Sequence, residues 1–227
     1  MKTVIVLGCN HSGTRAIVSI LQKLGGYGGI CTNHWGENDQ FLAFHKLLMK
    51  IEFGSDRWFD LNTFSNPIPR GKYSALCKEF LDLYNRTLHY NIYFSYWKCP
   101  RSIYFLDAWK EVTNNVLFVH IIRDGRDVAV SLRKSNKRSY IPNDEYALRY
   151  WGAYLKYLAP LLPSDCLTIR YEDLKAGVNK IAYAIGISDK EKLQAAYDIL
   201  KPNVGSWKKE FIGNPKSTML IKLGYNN

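Results

Sequence analysis

Four short apolar runs punctuate the chain: Thr3–Leu7, Tyr93–Trp97, Val116–Ile122 and Cys166–Arg170. They are rich in β-branched and aromatic residues and alternate little with polar ones, which is how strands buried on both faces read. Between them the period lengthens. Thr14–Leu24 sets Ile17, Ile20, Leu21 and Leu24 on one helical face, and Phe41–Phe53 does the same with Phe41, Phe44, Leu48 and Ile51. Helical patterns also cover Ser74–Leu88, Ser102–Val112, Arg126–Lys134, Glu145–Leu162 and a last region from Asn179 to Leu200. Alternation of strand and helix predicts βαβ units, hence an α/β fold with a parallel sheet and helices on both faces. The stretch from Gly54 to Lys72 lacks a period and holds Asn66, Pro67, Pro69 and Gly71, so it reads as a long loop.

With 227 residues the chain has room for one large domain or two small ones, and no disulfide or metal is needed to hold it. We read residues 1–227 as a single domain, with an aromatic-rich insertion at about 35–97 forming a wall over the active face. No apolar run reaches the ~18 residues of a membrane span. VLGC at the start resembles a lipobox, but the apolar run before Cys9 is too short for a signal, and the cytoplasm is the default expectation. Five cysteines without a CxxC pair argue against a disulfide framework and a structural zinc site.

The formal net charge of +11 attracts anions such as nucleic acid, phosphorylated cofactors, acidic glycans or anionic lipid. The basic residues are spread along the chain, and no helix-turn-helix, RNP or zinc-finger pattern marks a nucleic-acid reader.

The first strand runs into GCNHSGTR and then an amphipathic helix. A glycine turn between strand and helix aims backbone N–H groups and a helix N-terminus at an anion. Gly8 and Gly13 keep the spacing of GxxxxGK[ST], but Thr14 stands at the lysine position and Arg15 at the Ser/Thr position. Both the phosphate-gripping lysine and the Mg²⁺-binding hydroxyl are absent, which argues against an ordinary NTPase. The third strand ends in RDGRDVAVSLRKS, where Arg123 sits just past the strand and Ser131 lies in the following helix, so both can reach one anion.

These segments resemble the sulfotransferases that use 3′-phosphoadenosine 5′-phosphosulfate (PAPS). HSGTRAI is similar to the family's first loop, [KR]xGTxxL, and IIRDGRDVAVS to its RxPxDxxxS segment. RYEDL at 170–174, VGSWKKEF at 204–211 and WKCP at 97–100 resemble its YEDL, VGxWKxxF and KxP segments. Together they span about residues 3 to 211, closest to carbohydrate-type and small bacterial or viral members. The resemblance implies a P-loop NTPase-like three-layer sandwich and sulfuryl transfer from PAPS, leaving 3′-phosphoadenosine 5′-phosphate (PAP). The acceptor implied is a hydroxyl or amine of a small molecule or glycan; no metal, membrane or specific nucleic acid is expected. Ser12, Gly13, Thr14 and Arg15 match the loop that holds the 5′-phosphosulfate. His11 departs from the family's Lys or Arg, and Arg15 offers a replacement charge. Arg123 and Ser131 match the 3′-phosphate pair, and Tyr171 matches a tyrosine near the adenine. Of the cytosolic members' Arg-Lys-Gly upstream of VGxWK, only Lys201 remains, a further candidate contact.

Sulfuryl transfer is mostly positioning and charge stabilisation, and the acceptor needs a general base. In the carbohydrate-type enzymes that base is a carboxylate in a segment like ENExxFF; here the segment is WGENDQFLAF. Asp39 fits the pattern better, Glu37 has the longer reach, and either can instead cap the helix that follows. His11, His34 and His45 are secondary candidates. Lys98, in WKCP, would stabilise charge on the sulfuryl or bridging oxygen. A P-loop kinase of a nucleoside or small metabolite and a nonenzymatic nucleic-acid binder are the rival readings.

Overall fold

The computed structural model describes residues 2–33, 36–56, 61–64, 68–88, 92–135 and 141–225. The sheet has four parallel strands, β1 (Lys2–Leu7), β2 (Phe94–Lys98), β3 (Val116–Ile122) and β4 (Leu167–Arg170), in the order β2-β1-β3-β4. The helices are α1 (Thr14–Lys23), α2 (Asp39–Phe53), α3 (Ser74–Arg86), α4 (Leu106–Val112), α5 (Gly125–Lys134), α6 (Asp144–Leu158), α7 (Leu174–Ile185) and α8 (Lys190–Asp198). Two short ones follow, α9 (Trp207–Glu210) and α10 (Thr218–Lys222).

Strand alternation sorts the apolar residues into two cores. Val4, Val6, Phe94, Tyr96, Val119, Ile121 and Ile169 face α1, α7 and α8, while Ile5, Leu7, Trp97 and Phe118 face α2, α4, α5 and α6. This is the expected three-layer α/β sandwich. The four strands fall where the apolar runs lie, within a residue at each end.

Three helical segments differ from expectation. The region 179–200 is two helices, because Gly186 takes φ 79° and Asp189 caps α8 through Glu191 N and Lys192 N. Pro100 opens a 3₁₀ turn, Pro100–Phe105, before α4, so 102–112 is not one α-helix. The α6 pattern ends at Leu158 and finishes as a 3₁₀ turn, Ala159–Leu161. In the 54–72 stretch, Leu61–Phe64 forms another 3₁₀ turn.

Phe41 and Trp97 are core residues rather than a surface wall: their rings stack at 4.1 Å and both are buried. Trp35, Trp58 and His34 lie outside the described residues. All five cysteines are free. Among the described residues no helix is long and apolar enough to cross a membrane.

Candidate active site

The site sits beyond the carboxyl ends of the strands, where open α/β sheets bind ligands. The loop after β1 is wound tightly. Ser12 donates through both N (3.1 Å) and Oγ (2.6 Å) to the Cys9 carbonyl, and Gly8 N donates to the buried Tyr154 hydroxyl at 3.2 Å. Gly13, at φ 104°, begins α1, and a Cβ there would lie 2.3 Å from Cδ2 of Tyr171. No side chain caps α1 and no acidic residue occupies its first turn, so its positive end faces the loop uncompensated. Ser12 and Thr14 are buried in this turn. Arg15 is exposed and makes no ion pair among the described residues.

Arg123 follows β3 and is buried. Its Nη1 donates to the His11 carbonyl (3.1 Å) and its Nη2 to the Asn203 carbonyl (2.6 Å). The Nε atom is buried without a hydrogen-bond partner among the described residues. The Tyr171 ring lies 4.5 Å from this guanidinium, and Asn203 N donates to the Tyr171 hydroxyl. Across the same loop, His11 Nδ1 and Ser131 Oγ are 2.7 Å apart. Four segments distant in sequence therefore meet: the first loop, the β3 end with α5, Tyr171 and the crossing at Asn203.

That crossing is fastened by Asp127, a residue that sequence reasoning missed. Its carboxylate accepts from Gly205 N, Ser206 Oγ and Trp207 N at 2.7–3.0 Å. Beside it the Arg126 guanidinium lies 3.6 Å from the Trp207 ring. The signal was present as a carboxylate one turn past Arg123, but its partners lie almost eighty residues on. Next to Tyr171 a cavity of about 260 Å³ is lined by Ala16, Ser19, Gln22, Leu200 and Lys201. Lys201 thus lines this cavity.

A second cluster lies one strand over. The register Val6↔Lys98 brings Lys98 beside the start of the first loop. Its Nζ is 3.0 Å from Glu37 Oε1, and Arg101 Nη1 is 4.0 Å from Glu37 Oε2, all three side chains being buried. Arg101 also escaped sequence reasoning; it stands three residues after Lys98, on the 3₁₀ turn. Asn38, not Asp39, caps α2, its Oδ1 accepting from Gln40 N and Phe41 N. Asp39 turns the other way, onto Thr32 N (2.8 Å) and Asn33 Nδ2 (2.7 Å), and the Thr32 bond holds its carboxyl below the usual range. His45 belongs to the aromatic core. It is fully buried, Nδ1 donates to the Phe41 carbonyl and Nε2 accepts from Trp109 Nε1, and burial pushes its pKa down to about 3. A further cavity of about 290 Å³, lined by Tyr73, Tyr104, Phe105 and Tyr157, contains none of the sequence-predicted residues.

Residues 3–185 match the model of a sulfotransferase family. The chain belongs to that family. The sulfotransferase domain of the Synechococcus PCC 7002 olefin synthase is 17% identical with a TM-score of 0.58, over 100% of this chain and 95% of that one. The sulfotransferase domain of the curacin biosynthetic pathway is 15% identical with a TM-score of 0.56, over 86% of this chain and 77% of that one. Mouse sulfotransferase SULT7A1, solved with PAP, is 14% identical with a TM-score of 0.50, over 87% of this chain and 64% of that one. No curated protein sequence matches significantly. These likenesses agree with the three-layer fold, and the family membership makes the chain a sulfotransferase enzyme.

Proposed function

We propose that this sulfotransferase uses PAPS, and that a hydroxyl or amine of a small molecule or glycan accepts the group without a metal. PAPS supplies the activated sulfuryl group; the chain's residues bind, orient and neutralise. The observation that carries the reading is Arg123: buried, stacked on Tyr171, with an Nε that has no partner among the described residues, beside an uncapped helix N-terminus. That surrounding suits two anionic groups, a 3′-phosphate at Arg123 and Ser131 and a 5′-phosphosulfate along residues 12–15. The cavity beside Tyr171 suits the adenine, with Ser19 and Gln22 as hydrogen-bonding groups.

Glu37 is the better-supported general base. Its carboxylate faces Lys98, whereas Asp39 is committed to the 32–33 backbone and side chain. Lys98 supplies the charge that opposes developing negative charge during transfer. Buried cations at the site take the part a divalent ion plays in kinases. Thermal shift with PAP, PAPS, ATP and AMP tests this: a ligand at ~100 times its Kd raises stability by about 2.7 kcal/mol. PAP and PAPS are expected to shift most, and turnover with PAPS is expected to survive EDTA. Stabilisation by ATP with Mg²⁺, and loss of turnover in EDTA, would favour a kinase instead.

A further inference from the structure

His11 is one of two non-glycine residues with positive φ among those described, at 64°. Such a backbone is uncommon for a side chain of this size and persists where surrounding contacts fix it. Two contacts do so: Arg123 Nη1 donates to the His11 carbonyl, and the ring meets Ser131 Oγ at 2.7 Å. The left-handed turn carries the ring to α5, the side of the loop that holds Arg123 and Ser131.

We propose that His11 is a third ligand of the nucleotide's 3′-phosphate, and that its protonation sets how tightly that phosphate is held. The inference rests on the assignment of Arg123 and Ser131 to that phosphate. The charge balance supports it. His11 meets Arg123 after β3 and Ser131 on α5, and the Arg123 guanidinium is in turn met by Asp127 on α5, the Tyr171 ring after β4 and the Asn203 carbonyl at the crossing. Asp127 lies 3.9 Å from the Arg123 guanidinium and offsets much of its charge. With a neutral imidazole the subsite therefore has little net positive charge to set against a phosphate dianion. An imidazolium adds it.

The hydrogen-bond logic points the same way. A neutral ring with its lone pair on Nδ1 accepts the Ser131 hydroxyl proton, which turns that donor away from a ligand. In the imidazolium Nδ1 carries a proton and donates to Ser131 Oγ, so the serine O–H is free to donate to phosphate. From that tautomer, protonation supplies a charge and releases a donor at once. Histidine is the side chain that makes this change between about pH 5 and 8.

The test measures Kd for PAP and AMP from pH 6 to 8 in the wild type, His11→Gln, His11→Lys and Arg123→Ala. In the wild type the preference for PAP over AMP is expected to fall about tenfold as pH rises, in line with loss of one charge-assisted contact. Deprotonation of the phosphate, with its second pKa near 6, acts in the opposite direction, so it cannot produce that fall. His11→Lys is expected to hold the preference flat across the range, and His11→Gln to hold it flat and low. If His11→Gln melts early, His11→Asn, which tolerates positive φ, reads the same ratio. A wild-type slope retained in His11→Gln overturns the proposal, as does a His11→Gln loss equal at every pH with no slope in the wild type. If the wild type shows no preference for PAP and Arg123→Ala changes nothing, the 3′-phosphate assignment itself falls.

Discussion

Glu37 and Lys98 are sixty-one residues apart in the chain and meet as a buried ion pair, Oε1 to Nζ 3.0 Å. Breaking such a pair from one side strands a charge in a low-dielectric site, which costs about 3–5 kcal/mol, whereas removing both charges costs far less. Arg101 Nη1, 4.0 Å from Glu37 Oε2, tempers the loss when Lys98 goes. Urea denaturation of Glu37→Gln, Lys98→Met and the double variant is expected to give two destabilised proteins and a double variant near wild type. Additive losses would show that the pair contributes nothing as a pair.

The same residues separate in kinetics. Glu37→Gln is expected to lower turnover about 10²–10⁴-fold, the usual cost of lost general-base assistance, with PAP affinity nearly intact. Asp39→Asn, whose side chain serves the 32–33 loop, is expected to keep turnover within a few-fold. Steady-state rates together with PAP titrations check both; the reverse ranking would return the base to Asp39.

Arg123→Ala removes the guanidinium that lies on Tyr171 and reaches two backbone carbonyls. A charge-assisted contact to phosphate contributes about 1.5–3 kcal/mol. PAP affinity is therefore expected to drop ten- to a hundredfold, and AMP affinity much less. Isothermal titration with both ligands reads the difference, and equal losses would remove the 3′-phosphate from Arg123.

Gly13→Ala tests the loop's packing. The added Cβ would meet Tyr171 Cδ2 at 2.3 Å, and φ 104° is strained for any L side chain. A loss of about 1–3 kcal/mol is expected, with weaker PAP binding because Tyr171 must move. A melting curve and PAP titration matching wild type would show that the loop relaxes without cost.

Acid stability follows from His120. It lies in β3 with neither ring nitrogen hydrogen-bonded among the described residues, and burial lowers its pKa to about 4. The unfolded chain binds this proton near pH 6.5 and the fold resists it, so stability is full above about 6.5 and drains as pH falls toward 4. His45 adds to the same slope, reaching to about pH 3. His120→Leu is expected to flatten part of the decline and to melt higher than wild type at pH 5. Parallel melting-temperature profiles would assign the acid slope elsewhere.

The strands were legible as short runs rich in β-branched and aromatic residues with little alternation, set between segments of helical period. Breaks inside the helical stretches were not, since Gly186 and Asp189 act through local caps that an apolar period ignores. At the site, the loop after β1 and the segment after β3 were visible as contiguous motifs. The ion pairing that separates Glu37 from Asp39 was not, because both lie in one short segment and the partners of Glu37, Lys98 and Arg101, lie far along the chain. Asp127 was hidden for the same reason: a carboxylate on α5 acquires meaning only through residues 205–207.

The first of these four strands in chain order is an interior one, and this governs how the sheet assembles. β1 must wait for β2, whose pairing begins at Phe94, and for β3, which begins at Val116, before its backbone is satisfied on either side. Contacts so remote in sequence slow folding, because loop-closure entropy is lost before pairing rewards it. During synthesis the apolar segment Val4–Leu7 therefore stays unpaired for a long interval, an exposed edge prone to association with other chains. On the proposed cofactor assignment, a nucleotide that bridges the first loop, Arg123 and the Asn203 crossing would bind only after all three have met. It would act as a late clasp on the newly made chain, raising soluble yield as well as serving the reaction.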